Sequence, residues 1–148
     1  MALTPAGMAA VLQRWKPSSG AHGLHGLSLN TVVAKEGDGT LVTLQAGTVN
    51  TVKVHGMSFL ITASNGGDFT EFSVPVTLTI GTGTNQVKKT VTIPQIKKGQ
   101  KETVTIGGFE STTLQFDKAV PLKVLVTPVP GERTASNNSQ TYQVIFSL

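Results

Sequence analysis

The sequence predicts an all-β protein: an antiparallel β-sandwich of about seven to eight strands, preceded by a short N-terminal helix. Three observations point there. Thr, Val, Ser and Gly are abundant, while charged residues make up only 14% of the 148 positions and aromatics 5%, the composition of many short strands joined by tight turns. Apolar residues recur at every second position in several stretches, the period of a half-buried strand. Clusters of Gly, Asn, Asp and Pro interrupt those stretches at intervals of roughly 8 to 14 residues, as successive β-turns do.

The elements follow in order. Thr4-Pro5 reads as an N-cap with Pro in the first helical position, and Met8, Val11, Leu12 and Trp15 recur at helical spacing until Pro17 ends the run. Met8 and Trp15 are expected to pack on the sandwich or on an upstream helix rather than to hold a ligand. Pro17 to Gly26 carries little apolar surface and reads as a flexible connector. Residues 1–26 are thus expected to form a short helix and connector, and residues 27–148 a single sandwich domain, a length that supports one core.

Leu27 to Ala34 reads as the first strand, Lys35 to Gly39 as a turn, and Leu41 to Leu44 as the next strand. Val52 to Ala63 reads as one longer strand with Met57, Phe59, Ile61 and Ala63 on its apolar face, ended by Asn65-Gly66-Gly67. Phe72, Val74, Val76, Leu78 and Ile80 alternate with Ser73, Pro75, Thr77 and Thr79 over nine residues. Pro75 has no N–H for a ladder, which predicts an edge position or a bulge. Turns at Gly81 to Asn85 and at Lys97 to Gln100 bound strands with apolar sides Val91 and Ile93, then Val104 and Ile106. Phe109, Leu114 and Phe116 are expected to plug the sandwich end. Leu122, Val124 and Val126, then Tyr142, Val144, Phe146 and Leu148, line the last two strands. Strands joined only by turns, with no helix between them, predict Greek-key connections and the immunoglobulin-like arrangement.

Composition also excludes chemistry. With no cysteine there is no disulfide, no Cys-ligated metal and no thiol nucleophile. No run of about 18 apolar residues occurs, and the first residues lack the charged and apolar regions of a signal peptide. No Gly-x-Ser-x-Gly elbow is present, and Gly81-Thr-Gly-Thr lacks the Lys-Ser/Thr of a phosphate loop. His22-Gly-Leu-His25 has two of the three or more ligands a metal needs and sits in the connector, so both histidines are expected to be exposed. Glu36 with Asp38, and Asp68 with Glu71, are expected in solvated turns, short of the six to eight oxygens of a calcium site. No catalytic, cofactor-binding or metal-ligating residue is therefore assigned.

One charged feature stands out. Lys88, Lys89, Lys97, Lys98 and Lys101, five of the twelve basic residues, fall within fourteen positions offset only by Glu102, in a chain of net charge +4. Such a stretch suits contact with an anionic polymer, phospholipid heads or a protein partner. Against that, lysines on an edge strand are an ordinary device that hinders edge-to-edge association, and this plainer reading is the one the sequence favours. No aromatic or Arg stacking platform accompanies them, which argues against specific nucleic-acid binding.

The closing segment reads as a hairpin closure. Pro130-Gly131 suits a type II turn, and Glu132, Asn137 and Asn138 are placed to bond loop backbone that no strand satisfies. Together with Phe59 to Gly67, the strand Val74 to Ile80 and the stretch Ile93 to Ile106, Pro128-Val-Pro-Gly-Glu132 with Asn137-Asn138 resembles the CARDB group of bacterial immunoglobulin-like, cell-adhesion-related domains over residues 57–148. The Pro-Val-Pro-Gly-Glu version is similar to C-terminal domains of membrane-anchored actinobacterial envelope proteins. The resemblance implies a non-enzymatic module at the cell surface, meeting a protein or an anionic surface polymer, with any membrane attachment made by a segment outside this chain. A carbohydrate-binding accessory domain, marked by exposed aromatics, and a phage or virion decoration domain, marked by assembly, are the alternatives.

Overall fold

In the computed structural model, residues 24–110, 114–131 and 135–148 are described. The expected N-terminal helix, His22 and Glu132 lie outside them. The strands are β1 (Leu27–Lys35), β2 (Leu41–Thr43), β3 (Val49–Lys53), β4 (Ser58–Asn65), β5 (Glu71–Ile80), β6 (Val87–Ile96), β7 (Lys101–Ile106), β8 (Val120–Val126) and β9 (Ser139–Ser147), with 3-10 turns at Gly83–Asn85 and Ala135–Asn138. They form two sheets, ordered β2-β1-β4-β7 and β3-β9-β8-β5-β6, packed as a sandwich. Val32 and Ala34 of β1, Phe59, Ile61 and Ala63 of β4, Val76 and Leu78 of β5, and Leu122, Val124 and Val126 of β8 are buried between them. Among the described residues no helix is long and apolar enough to cross a membrane.

The expected strand from Val52 to Ala63 is two strands in opposite sheets. The chain reverses at Gly56, which has φ +64°, while Met57 N donates to Val54 O at 3.1 Å. Gly37 packs into that reversal so closely that a Cβ there would lie 2.4 Å from His55 O. Val52 and Val54 face the core from even positions and Met57, Phe59 and Ile61 from odd ones, so the apolar phase changes at the turn, a break that the single-strand reading passes over. The ladders are antiparallel except one: β3 runs parallel to β9, with Val49 opposite Gln143 and Lys53 opposite Ser147. Strands so far apart in sequence need no hairpin between them, and their direction is free of turn geometry.

Two irregularities change which residues face inward. The β1/β4 register shifts between Leu29 and Thr31, which lets Leu27 and then Val32 and Ala34 all reach the core. In β5, Ser73 adopts φ +52°, a left-handed conformation that costs a non-glycine residue on the order of 1 kcal/mol. Across from it, Ile93 and Ile96 of β6 are both buried three positions apart. Glu71 and Ile96 therefore point in, and Phe72 and its cross-strand partner Gln95 point out. Strict alternation had placed Phe72 in the core; it is 65% exposed. Pro75 is likewise not on an edge, because β5 lies between β8 and β6. Its carbonyl accepts Thr127 N at 2.9 Å, and the β5/β8 ladder starts only at Val76. Pro75 thus stands opposite Thr127 at the end of the β8 pairing, where the bond formed is the one its carbonyl accepts and the missing N–H interrupts no ladder. Phe109 and Leu114 plug the sandwich as expected, Phe109 edge-on to Phe59 at 5.6 Å. Phe116 and Leu148 do not: Phe116 is exposed beside an isolated bridge to Phe146, and Leu148 follows the last paired residue of β9.

Buried polar side chains close the ends. Asn65, 1% exposed, donates to Phe69 O at 2.7 Å and Ile96 O at 2.9 Å and accepts Gly67 N at 3.0 Å. It ties β4 of one sheet to β6 of the other. At the opposite end the buried carboxylate of Glu36 accepts Lys53 N at 2.8 Å, joining the β1–β2 turn to β3. Asn50 bonds Gln45 N and O and Gln143 O.

Replacing Asn65 by Ala leaves two carbonyls and an amide without partners at a buried site, and is expected to lower unfolding free energy by about 2–4 kcal/mol in urea titrations. Asn65→Asp, of equal size, cannot donate and is expected to cost at least as much; a neutral result would show that packing rather than hydrogen bonding matters there. Tyr142 is the single tyrosine, and burial raises its pKa above the ordinary value of 10.0. The neutral phenol is the form the fold accepts, so stability is complete below about pH 10 and declines as pH rises through the raised value. Ultraviolet titration should give a midpoint above that of free tyrosine, and Tyr142→Phe should remove this part of the alkaline loss.

Candidate functional site

β4, β6 and β8 end, and β5, β7 and β9 begin, at the same pole of the sandwich. That pole gathers residues 24–26, 66–70, 97–100, 127–131 and 135–138. Asn65 is its hub: Asn65 N donates to Gln100 O at 2.9 Å, and its O accepts Gly99 N at 2.8 Å. The β4–β5 loop and the lysine-bearing β6–β7 turn are therefore held to each other by backbone bonds.

The histidine expected to be exposed in a connector is part of this pole. Gly66 N donates to Gly26 O, Asp68 N donates to Leu24 O, and Leu24 N donates to Asp68 Oδ2, so residues 24–26 lie along 66–68. The His25 ring then meets the Glu71 carboxylate through Nδ1 and stacks, tilted, on Phe69 at 4.9 Å. Gly131 of the closing turn sits beside the same ring. The left-handed Ser73 is what brings Glu71 inward to meet His25, a pairing 46 residues apart that no local pattern signals. Glu71 is thus buried against His25, whereas Asp68 stays exposed in the β4–β5 loop, as expected, where it accepts Leu24 N. Glu36 is buried, while Asp38 stays in the turn, where hydrogen bonds from Thr40 hold its carboxyl below the usual carboxylate range. Among the described residues no group of three or more His, Asp or Glu gathers as metal ligands would.

The closing segment behaves as a hairpin closure. Gly131 has φ +81°, as the third residue of a type II turn requires. Asn138, fully buried, donates to Val126 O at 3.1 Å, and Asn137 is exposed.

The five lysines do not converge. β6 and β7 are consecutive edge strands, so all five lie on or next to sheet edges. Lys88 and Lys89 stand at the start of β6, about 30 Å along the strand from Lys97 at about 3.3 Å per residue. Lys89 is half-buried, with Nζ 5.3 Å from the centre of the Phe109 ring, a cation–π contact. Lys97, Lys98 and Lys101 are exposed around one turn. Pro94, Gln95, Lys97, Gln100 and Glu102 line a shallow concavity there. At the opposite pole a second cleft is lined by Ile80, Thr82, Asn85, Leu114, Gln115 and Lys118 among others, and among the described residues Lys118 is its only titratable one.

No protein-family model matches the chain, and no curated protein does. Among solved structures it is similar to the CARDB domain of a Pyrococcus furiosus protein, determined in complex with di-metal ions: TM-score 0.51 and 15% identity over 89% of this chain and 100% of that one. At that identity the likeness concerns the fold, and the architecture described above is that of a CARDB-type immunoglobulin-like sandwich.

Proposed function

We propose that this chain is a non-enzymatic structural or adhesion-type module of a cell surface, meeting a protein or anionic polymer with its β6–β7 edge and the adjoining turn. The observation that carries the reading is the exposed basic turn of Lys97, Lys98 and Lys101 on a pair of edge strands, with Lys88 as a more distant contact. Placement outside the cell rests on the fold likeness. The two clefts support a binding role over catalysis: among the described residues one has Lys118 as its titratable group, and the other has Lys97 and Glu102, both exposed, in an open and shallow setting. The di-metal ions of the Pyrococcus furiosus domain are not carried over, because the His25–Glu71 pair stops at two ligands among the described residues.

Calorimetric titration with a soluble polyanion such as dextran sulfate tests the reading. Changing Lys97, Lys98 and Lys101 together to Gln is expected to weaken binding by at least about tenfold at low salt and to flatten its salt dependence. Lys89→Ala should leave binding unchanged and cost about 0.5–1 kcal/mol of stability through its contact with Phe109. Equal affinity of the triple variant and the parent would refute the proposal.

A further inference from the structure

Phe72 and Phe69 are 65% and 42% exposed at the Asn65 pole, three positions apart. The β5 pattern offers Phe72 an inward place, yet the left-handed Ser73 turns it out and takes Glu71 in. Phe72 lies directly across from Gln95, and Gln95 shares its concavity with Lys97. Exposed phenyl rings and the lysines of the β6–β7 turn therefore occupy one pole, on two loops that Asn65 fastens together.

We infer that this pole docks on a membrane surface containing anionic lipid, Phe72 and Phe69 entering the headgroup boundary while Lys97, Lys98 and Lys101 meet the lipid phosphates. The inference rests on the same lysine turn as the polyanion reading and adds the aromatic contact. Phenyl rings without a polar handle next to long-stemmed cations match the apolar-under-charged layering of a bilayer interface. A neutral glycan makes no use of the lysines, and single-stranded nucleic acid calls for a charged groove lined with stacking rings. The pole is a set of loop tips, and its concavity is shallow. Asp68 and Glu102 are also exposed here, while Glu71 is turned inward against His25, so with the three lysines the exposed charges of the described residues here sum to only +1 and attraction by charge alone is weak. Both components are needed, and binding is reversible.

The test is co-sedimentation of the full chain with phosphatidylcholine vesicles with and without about one third phosphatidylglycerol. Association is expected with the anionic vesicles at low salt and not with pure phosphatidylcholine. Phe72→Ser should reduce it at least about tenfold with an unchanged unfolding midpoint, since the ring is already outside the core. Phe72→Trp should retain it, with an emission shift to the blue on vesicles that the parent, carrying only Trp15, does not show. Lys97→Gln with Lys98→Gln should lower both binding and its salt dependence. Dextran sulfate separates the two proposals: binding that needs the lysines but not Phe72 supports the polymer reading alone. No association with anionic vesicles, association indifferent to Phe72→Ser, or Phe72-dependent binding confined to a neutral polysaccharide or a protein would each overturn the membrane inference.

Discussion

The carboxamide of Asn65 holds one pole of the sandwich together, and the rest of that pole is built on it. A sandwich buries its apolar faces readily, but where strands end the backbone groups lose their ladder partners. Asn65 supplies two donors and an acceptor to such groups, at Phe69, Ile96 and Gly67, and its own backbone takes up Gln100 and Gly99. A neutral amide does this without the desolvation cost of a charge. Because Ile96 belongs to one sheet and Asn65 to the other, the same bonds set where the β4–β5 and β6–β7 turns lie with respect to each other. Glu36 at the far pole, a carboxylate, and Asn138 under the last hairpin also satisfy backbone groups, at Lys53 N and Val126 O.

Strand irregularities decide what the surface presents. Each residue added to or twisted within a strand changes the inward set from that point on. The shift at Asn30 keeps both Leu27 and Val32 in the core and is a packing device. Ser73 works the other way, exposing an aromatic ring and burying a carboxylate. The carboxylate finds His25, and through it the segment leading into β1 is fastened to β5. One backbone dihedral thus couples the attachment of residues 24–26 to the exposure of Phe72.

Of the candidate site, residue types were legible in the sequence and arrangement was not. The lysines stand out by count, but alternation places Lys88 and Lys89 on opposite faces, and a long strand separates them from Lys97. His25 read as a connector residue because its partner lies 46 positions away. Phe72 read as core because period-two counting assumes a regular backbone, and no residue type near it announces a left-handed serine. Glycine would have been such a signal; its absence is why the break was invisible.

The all-β class, the buried faces of β4, β8 and β9 and the closing turn at Pro130-Gly131 were determined by the sequence alone, because alternation and turn chemistry act between near neighbours. The division of Val52 to Ala63 into two strands, the parallel pairing of β3 with β9, the central place of Pro75, the outward Phe72 and the gathering of aromatic and basic loops at one pole were decided only by tertiary structure. Those features depend on which backbone groups remain to be satisfied once both sheets meet, a condition set by contacts tens of residues apart.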